Sequence, residues 1–119
     1  MSISDEEIIT KCLPVLEDIL LHPENTEKRI FITAYQVWLL LEQTNSDFCI
    51  ELEKGYGTAN GVGGGDFIGP IQRIEQALGR CPKVETQYLL VKYIMVGKFK
   101  LSGYPDCEIF RLRNKFEKV

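Results

Sequence analysis

The chain has 119 residues, of which 45% are hydrophobic and 26% are charged, and its net charge is −3. This composition excludes a disordered chain, and the length predicts one globular domain over residues 1–119. The longest apolar run, Val37 to Leu41, is far shorter than the roughly 20 residues that cross a bilayer. The first residues also lack a signal-peptide pattern, so we expect a cytoplasmic protein with no membrane partner.

The four cysteines stand far apart in the sequence, at Cys12, Cys49, Cys81 and Cys107. No Cys-x-x-Cys pair suggests a zinc or redox site, so we predict free thiols and no bound metal. Free thiols are typical of a reducing compartment such as the bacterial cytosol.

Charge changes sign along the chain. Residues 1–54 carry 4 positive and 11 negative side chains, whereas residues 90–119 carry 7 positive and 3 negative ones. Such polarity favours contacts between unlike halves of two copies, or between the basic end and an anionic partner. A solvated surface whose charges happen to segregate is the alternative.

The first predicted helix begins at Ser4, because Ser4 and Glu7 have the spacing of a capping box. An apolar stripe that includes Ile8, Cys12 and Leu16 follows at helical spacing. Pro14 interrupts this stripe, so we expect a kink or a break into two short helices.

The second predicted helix has the widest apolar face in the sequence and is expected to be the central core element. One line of this face is formed by Ile30, Ala34, Val37 and Leu41, and it is widened by Phe31, Tyr35 and Trp38.

A short helix is expected from Ser46, as its cap, to Lys54, although alternating apolar residues in this segment also suit a strand. Seven of the ten glycines lie between Gly55 and Gly69, which predicts a loop. Pro70 then begins another helix, which Gly79 terminates.

The segment from Lys83 to Val96 fits both a helix and a strand, and we favour a helix. Beyond it, a strand at Phe99 and Leu101, a turn at residues 103–106 and a strand from Cys107 to Arg113 predict a hairpin. The expected fold is therefore α+β: a helical N-terminal half, a glycine-rich loop, a helix, and a small C-terminal antiparallel hairpin or sheet.

No catalytic or cofactor-binding motif is present. The glycine-rich segment lacks the lysine and the serine or threonine of a phosphate-binding loop, so no cofactor is predicted. The single histidine, His22, stands beside Pro23 and is better explained as a surface or capping residue than as a catalytic base. The sequence thus favours a protein without catalytic activity.

A small-ligand pocket is one possible function. Its walls would be the aromatic residues Phe31, Tyr35 and Trp38, and its roof the glycines of the loop, Gly63, Gly64 and Gly65. Packing in the core is the alternative role for the three aromatic side chains.

The order of elements after Pro70 resembles that of a winged helix-turn-helix. This resemblance implies that a helix from Val84 enters the major groove of nucleic acid, and that basic residues of the hairpin form the wing. The residues assigned to that interface are Thr86, Gln87, Lys92, Lys98, Lys100, Arg111 and Arg113.

The hypothesis that needs no missing motif is a small interaction domain that forms a homodimer. It uses the apolar excess and the charge polarity of the chain at the contact. Whether Lys83 to Val96 is helix or strand decides between this hypothesis and the winged-helix one, because a strand removes the recognition helix.

Overall fold

The computed structural model describes residues 3–19, 29–57, 69–91, 95–97, 99–100 and 106–113. Within these ranges the helices are α1 (Asp5–Glu17), α2 (Ala34–Thr44), α3 (Ser46–Tyr56) and α4 (Pro70–Gly79). The strands are β1 (Ile32–Thr33), β2 (Val84–Leu90), β3 (Met95–Val96), β4 (Phe99–Lys100) and β5 (Asp106–Leu112). Helices dominate the N-terminal half and strands the C-terminal part, which confirms the predicted α+β class.

Helix α1 begins at the predicted cap, where the Ser4 hydroxyl accepts from the Glu7 amide at 3.2 Å. The helix continues through Pro14, so the predicted break into two helices is wrong. Pro14 is exposed, and the buried residues Ile8 and Leu16 hold the helix against the core on both sides of it. Packing of this stripe therefore offsets the hydrogen bond that proline removes.

Helix α2 begins four residues later than its apolar pattern predicts. Residues 32–33 form β1, and Thr33 then caps the helix in a capping box with Gln36. Ile30 consequently precedes the helix and is exposed rather than part of its buried face. The residues of α2 that are buried are Ala34, Val37, Trp38 and Leu41.

Helix α3 confirms the helical alternative for its segment, because Phe48, Cys49 and Leu52 are buried at helical spacing. Its cap is Asn45 rather than Ser46, and the Asn45 side chain accepts from the Phe48 amide at 3.4 Å. The helix ends at Gly57, whose φ of 88° lies in the left-handed region that favours glycine. Gly55 is thus inside the last turn.

Helix α4 starts at Pro70 and ends at Gly79, as predicted, and buries Ile71, Ile74 and Leu78 in the core. The predicted glycine-rich loop between α3 and α4 falls largely on residues 58–68, which lie outside the described residues.

The prediction of a helix over Lys83 to Val96 is wrong, because residues 84–90 form β2. The strand pairs antiparallel with β5 over its whole length, from Val84 opposite Leu112 to Leu90 opposite Asp106. The β-branched and aromatic content of the segment and its pairing with β5 together prevail over its helical spacing. This strand also removes the recognition helix of the winged-helix arrangement.

The predicted C-terminal hairpin has different partners. β5 pairs with β2 on one side and with β1 on the other, in the order β1-β5-β2. β4 pairs instead with β3, where Met95 lies opposite Lys100. The predicted strand from Cys107 to Arg113 is confirmed as β5. Leu101 and residues 103–105 of the predicted turn lie outside the described residues.

The four helices and the three-stranded sheet share one buried cluster, in which Trp38 and Phe110 are the largest fully buried side chains. A polar network closes the cluster where α1 begins and α3 ends. In this network Arg73 of α4 contacts Asp5 at 2.6 Å and donates to the Ile3 carbonyl at 2.8 Å and to the Tyr56 hydroxyl at 3.2 Å. The network thus ties α1, α3 and α4 together, and β2 forms one edge of the three-stranded sheet in the described chain.

Candidate functional site

The C-terminal half of β2 exposes three large apolar side chains. Tyr88, Leu89 and Leu90 are 69%, 43% and 73% exposed, although Val84, at the start of the same strand, is only 4% exposed. Among the described strands β2 pairs with β5 alone, so these residues lie on an outer edge. Exposed apolar side chains on an edge strand mark a surface that other chains can cover.

The hydrogen bonds at the start of the ladder show which backbone groups of β2 point away from β5. The Arg113 amide donates to the Lys83 carbonyl at 3.0 Å, so the backbone N–H and C=O groups of Lys83 point toward β5. Because antiparallel pairs alternate, the N–H and C=O groups of Val84 and of every second residue after it point outward. The Val84 amide agrees with this alternation, because it donates to the Cys81 carbonyl at 3.1 Å and not to β5.

Three residues of β2 therefore present both backbone groups to the outer edge: Thr86, Tyr88 and Leu90. No other described strand lies beside them. Natural edge strands are commonly protected by lysine, proline or a bulge, and residues 84–90 contain neither lysine nor proline and pair with β5 without a bulge. Within the described part of the chain the edge is thus open to another strand. We refer to residues 86–90 as the β2 edge.

The single charge on β2 is neutralised within the domain. Glu85 accepts from Arg111 of β5 at 2.6 Å and from the Gln87 side chain at 3.3 Å. The hydrogen bonds from Arg111 lower the pKa of Glu85 below its ordinary value. The Arg111 guanidinium also lies 4.9 Å from the centre of the Phe31 ring. The β2 edge consequently carries no unpaired charge that would oppose an apolar contact.

A polar cleft of about 370 Å³ lies between α4 and β5. It is lined by Gln72, Glu75, Gln76, Gly79, Arg80 and Glu108. Glu108 is opposite Tyr88 in the ladder between β2 and β5.

The two carboxyl groups of the cleft resist ionisation. Burial and the charge of Glu108 raise the pKa of Glu75 from 4.5 to about 7, and burial also raises the pKa of Glu108. Arg80, the one cation that lines the cleft among the described residues, is bonded to Asp5 of α1 at 2.9 Å. Glu75 is therefore partly protonated at neutral pH, and its carboxyl group destabilises the fold when it ionises.

The thiol beside this cleft is unsuited to nucleophilic chemistry. Cys107 is buried together with Val91 and Tyr35, and burial and the nearby Glu75 raise the pKa of its thiol to about 11. The pKa values of Cys12 and Cys49 are raised by burial to about 12. All four cysteines are free, as predicted, and all four are buried.

The three aromatic residues predicted to wall a small-ligand pocket have different surroundings in the described structure. Trp38 is 1% exposed in the main core, whereas the Phe31 ring lies under Arg111 at the sheet. Tyr35 packs against both buried clusters. The glycines of the predicted roof, Gly63, Gly64 and Gly65, lie outside the described residues, and the cleft at Glu75 is lined by none of the predicted residues.

Of the residues predicted to bind nucleic acid, those on β2 and β5 lie on neighbouring strands, and several are bonded within the protein. Gln87 and Arg111 both bond to Glu85, and the Arg113 side chain donates to the Pro82 carbonyl at 3.0 Å. Thr86 is half-buried, with a hydroxyl that has no hydrogen-bond partner in the described part of the chain. Lys100 lies in β4, which pairs with β3 and not with β2. Lys92 and Lys98 lie outside the described residues.

Sequence reasoning missed the β2 edge and the carboxyl pair. The signal for the edge was the run of consecutive apolar residues from Tyr88 to Val91. Neither a helix with one buried face nor a strand with one buried face explains such a run. No local sequence pattern could have predicted the carboxyl pair. Glu75 and Glu108 are far apart in sequence and come together only when β5 packs beside α4.

No group of three or more histidine, cysteine, aspartate or glutamate side chains in the ranges that the structure describes is placed to hold a metal ion. No helix in those ranges has both the length and the apolar character to cross a membrane. Comparisons of the chain with protein-family models, with curated proteins and with solved structures find no match.

Proposed function

We propose that the chain is a protein-interaction domain that associates with a second copy of itself through the β2 edge. The observation that carries this proposal is the exposure of Tyr88, Leu89 and Leu90 on a strand that pairs on one side only among the described strands. Burying these side chains removes apolar surface from water, which favours association by about 25 cal/mol for each Å².

A second copy satisfies the chemistry of this edge. The partner strand must itself be apolar and almost uncharged, because a charge placed against Tyr88 or Leu90 would meet no unpaired opposite charge. β2 has that composition, and its one carboxylate is already bonded to Arg111. The edge of one copy therefore fits the edge of another.

Sedimentation equilibrium over a wide range of protein concentration tests the proposal. The wild-type chain is expected to form a dimer, and Leu90→Lys is expected to raise the dissociation constant at least about tenfold, since it places a charge at the contact. Ile50→Lys is the matched control, because Ile50 is 51% exposed on α3 and outside the β2 edge.

A wild-type chain that stays monomeric at high concentration would overturn self-association and leave the β2 edge to a strand of another protein. If Leu90→Lys and Ile50→Lys weaken the dimer equally, the contact between the copies does not lie at the β2 edge.

A further inference from the structure

We infer that the β2 strands of the two copies pair antiparallel about a two-fold axis at Tyr88. The three-stranded sheets of the two copies then join into one six-stranded sheet. This inference rests on the self-association proposed above. It specifies which residues face each other across the contact, which the proposed function alone does not.

The phase of the β2–β5 ladder restricts the possible registers. Only the even-numbered residues of β2 turn their backbone groups outward, because Lys83 and Arg113 bond to each other across the ladder. Outward residues must bond to outward residues of the second copy, so a register that slips by one residue forms no hydrogen bonds. The axis must then lie at a single residue rather than between two.

An axis at Tyr88 uses every outward group that the edge offers. Tyr88 then bonds to Tyr88 of the second copy, and Thr86 bonds to Leu90 in both directions. An axis at Gln87 instead requires Val84, whose amide is already bonded to the Cys81 carbonyl at 3.1 Å. An axis at Leu89 leaves Thr86 without a partner among the described residues of β2. The register at Tyr88 alone pairs the three outward residues completely.

Side chains favour the same register. Residues that are directly opposite each other, and their diagonal neighbours, contact one another across antiparallel strands. Tyr88 of each copy therefore meets Tyr88 directly and Leu90 diagonally, which covers the two most exposed apolar side chains of the strand. Glu85 lies opposite Val91 at the end of the contact, where its bond to Arg111 is undisturbed.

Disulfide trapping tests this register. In it Gln87 faces Leu89 of the second copy as a pair without hydrogen bonds, whose Cα atoms lie about 4.5 Å apart, within the reach of a disulfide. Gln87→Cys and Leu89→Cys are prepared separately, one of them labelled with ¹⁵N, then mixed and oxidised under mild conditions. Mass spectrometry distinguishes the mixed disulfide from the two symmetric ones.

The mixed disulfide is expected to form about tenfold faster than either symmetric one, because only its Cα atoms lie at bridging distance. The wild-type chain, whose four cysteines are buried, is the control and should give no covalent dimer. A dominant symmetric disulfide of Gln87→Cys or of Leu89→Cys would overturn the axis at Tyr88.

Sedimentation of the same samples separates the two proposals. A wild-type dimer in which the mixed disulfide does not dominate would overturn the register and leave self-association standing. A wild-type chain that remains monomeric would overturn both.

Discussion

The amide of Arg113 donates to the carbonyl of Lys83 at 3.0 Å, and this bond fixes the phase of the whole β2–β5 ladder. It turns the backbone of Glu85, Gln87 and Leu89 toward β5 and leaves the alternate residues of β2 facing outward. The proposed contact between copies, and the register inferred for it, both depend on this phase.

The two arginines that bind Asp5 are expected to differ in their effect on stability. The Arg73 side chain is 11% exposed and also bonds to Tyr56 and to the Ile3 carbonyl, whereas the Arg80 side chain is 61% exposed. Arg73→Ala should lower the free energy of unfolding by about 2–3 kcal/mol, because it removes several hydrogen bonds to partly buried acceptors.

Arg80→Ala is the control and should cost less than about 1 kcal/mol, as is usual for an exposed ion pair. Urea unfolding monitored by the fluorescence of Trp38 measures both values. If the two variants lose equal stability, the hydrogen bonds of Arg73 to Tyr56 and to the Ile3 carbonyl contribute nothing beyond what an exposed ion pair contributes.

Replacement of Glu75 by glutamine is expected to stabilise the protein at high pH alone. The pKa of Glu75 is raised from 4.5 in the unfolded chain to about 7 in the fold, so the folded protein holds this proton more tightly. The resulting stability is fully present below pH 4.5 and is lost as the pH rises to about 7. Above that pH, Glu75→Gln should raise the free energy of unfolding by about 1–2 kcal/mol, after allowance for solvent screening.

Urea unfolding at several pH values between 4 and 8, which are about the limits of this titration, measures the effect of Glu75→Gln. Glu51→Gln, at an exposed position of α3, is the matched control for removal of one negative charge. A stabilisation by Glu75→Gln that does not depend on pH would contradict the assigned origin of the raised pKa.

Local signals in the sequence predicted those elements whose formation depends on neighbouring residues. The cap at Ser4 and the proline at Pro70 fixed the start of two helices, and glycines fixed the approximate ends of α3 and α4. These signals act within one turn of helix, so they are legible without knowledge of the fold.

The errors arose where partners distant in sequence decide the structure. Residues 32–33 are a strand because they pair with Ile109 and Phe110, and residues 84–90 are a strand because they pair with β5. Their apolar residues also fit a helical period, and only the pairing decides between the two conformations. For the same reason the cleft at Glu75 and Glu108 has no counterpart in the sequence pattern.

Hydrogen exchange of the β2 amides, followed by NMR at low and high protein concentration, tests the central claim most directly. The amides of Glu85, Gln87 and Leu89 donate to β5 and should be protected at every concentration. Those of Thr86, Tyr88 and Leu90 should exchange rapidly in dilute solution and become protected as the dimer forms, because each then donates to the second copy. Unchanged rapid exchange of these three amides at high concentration would contradict association through the β2 edge.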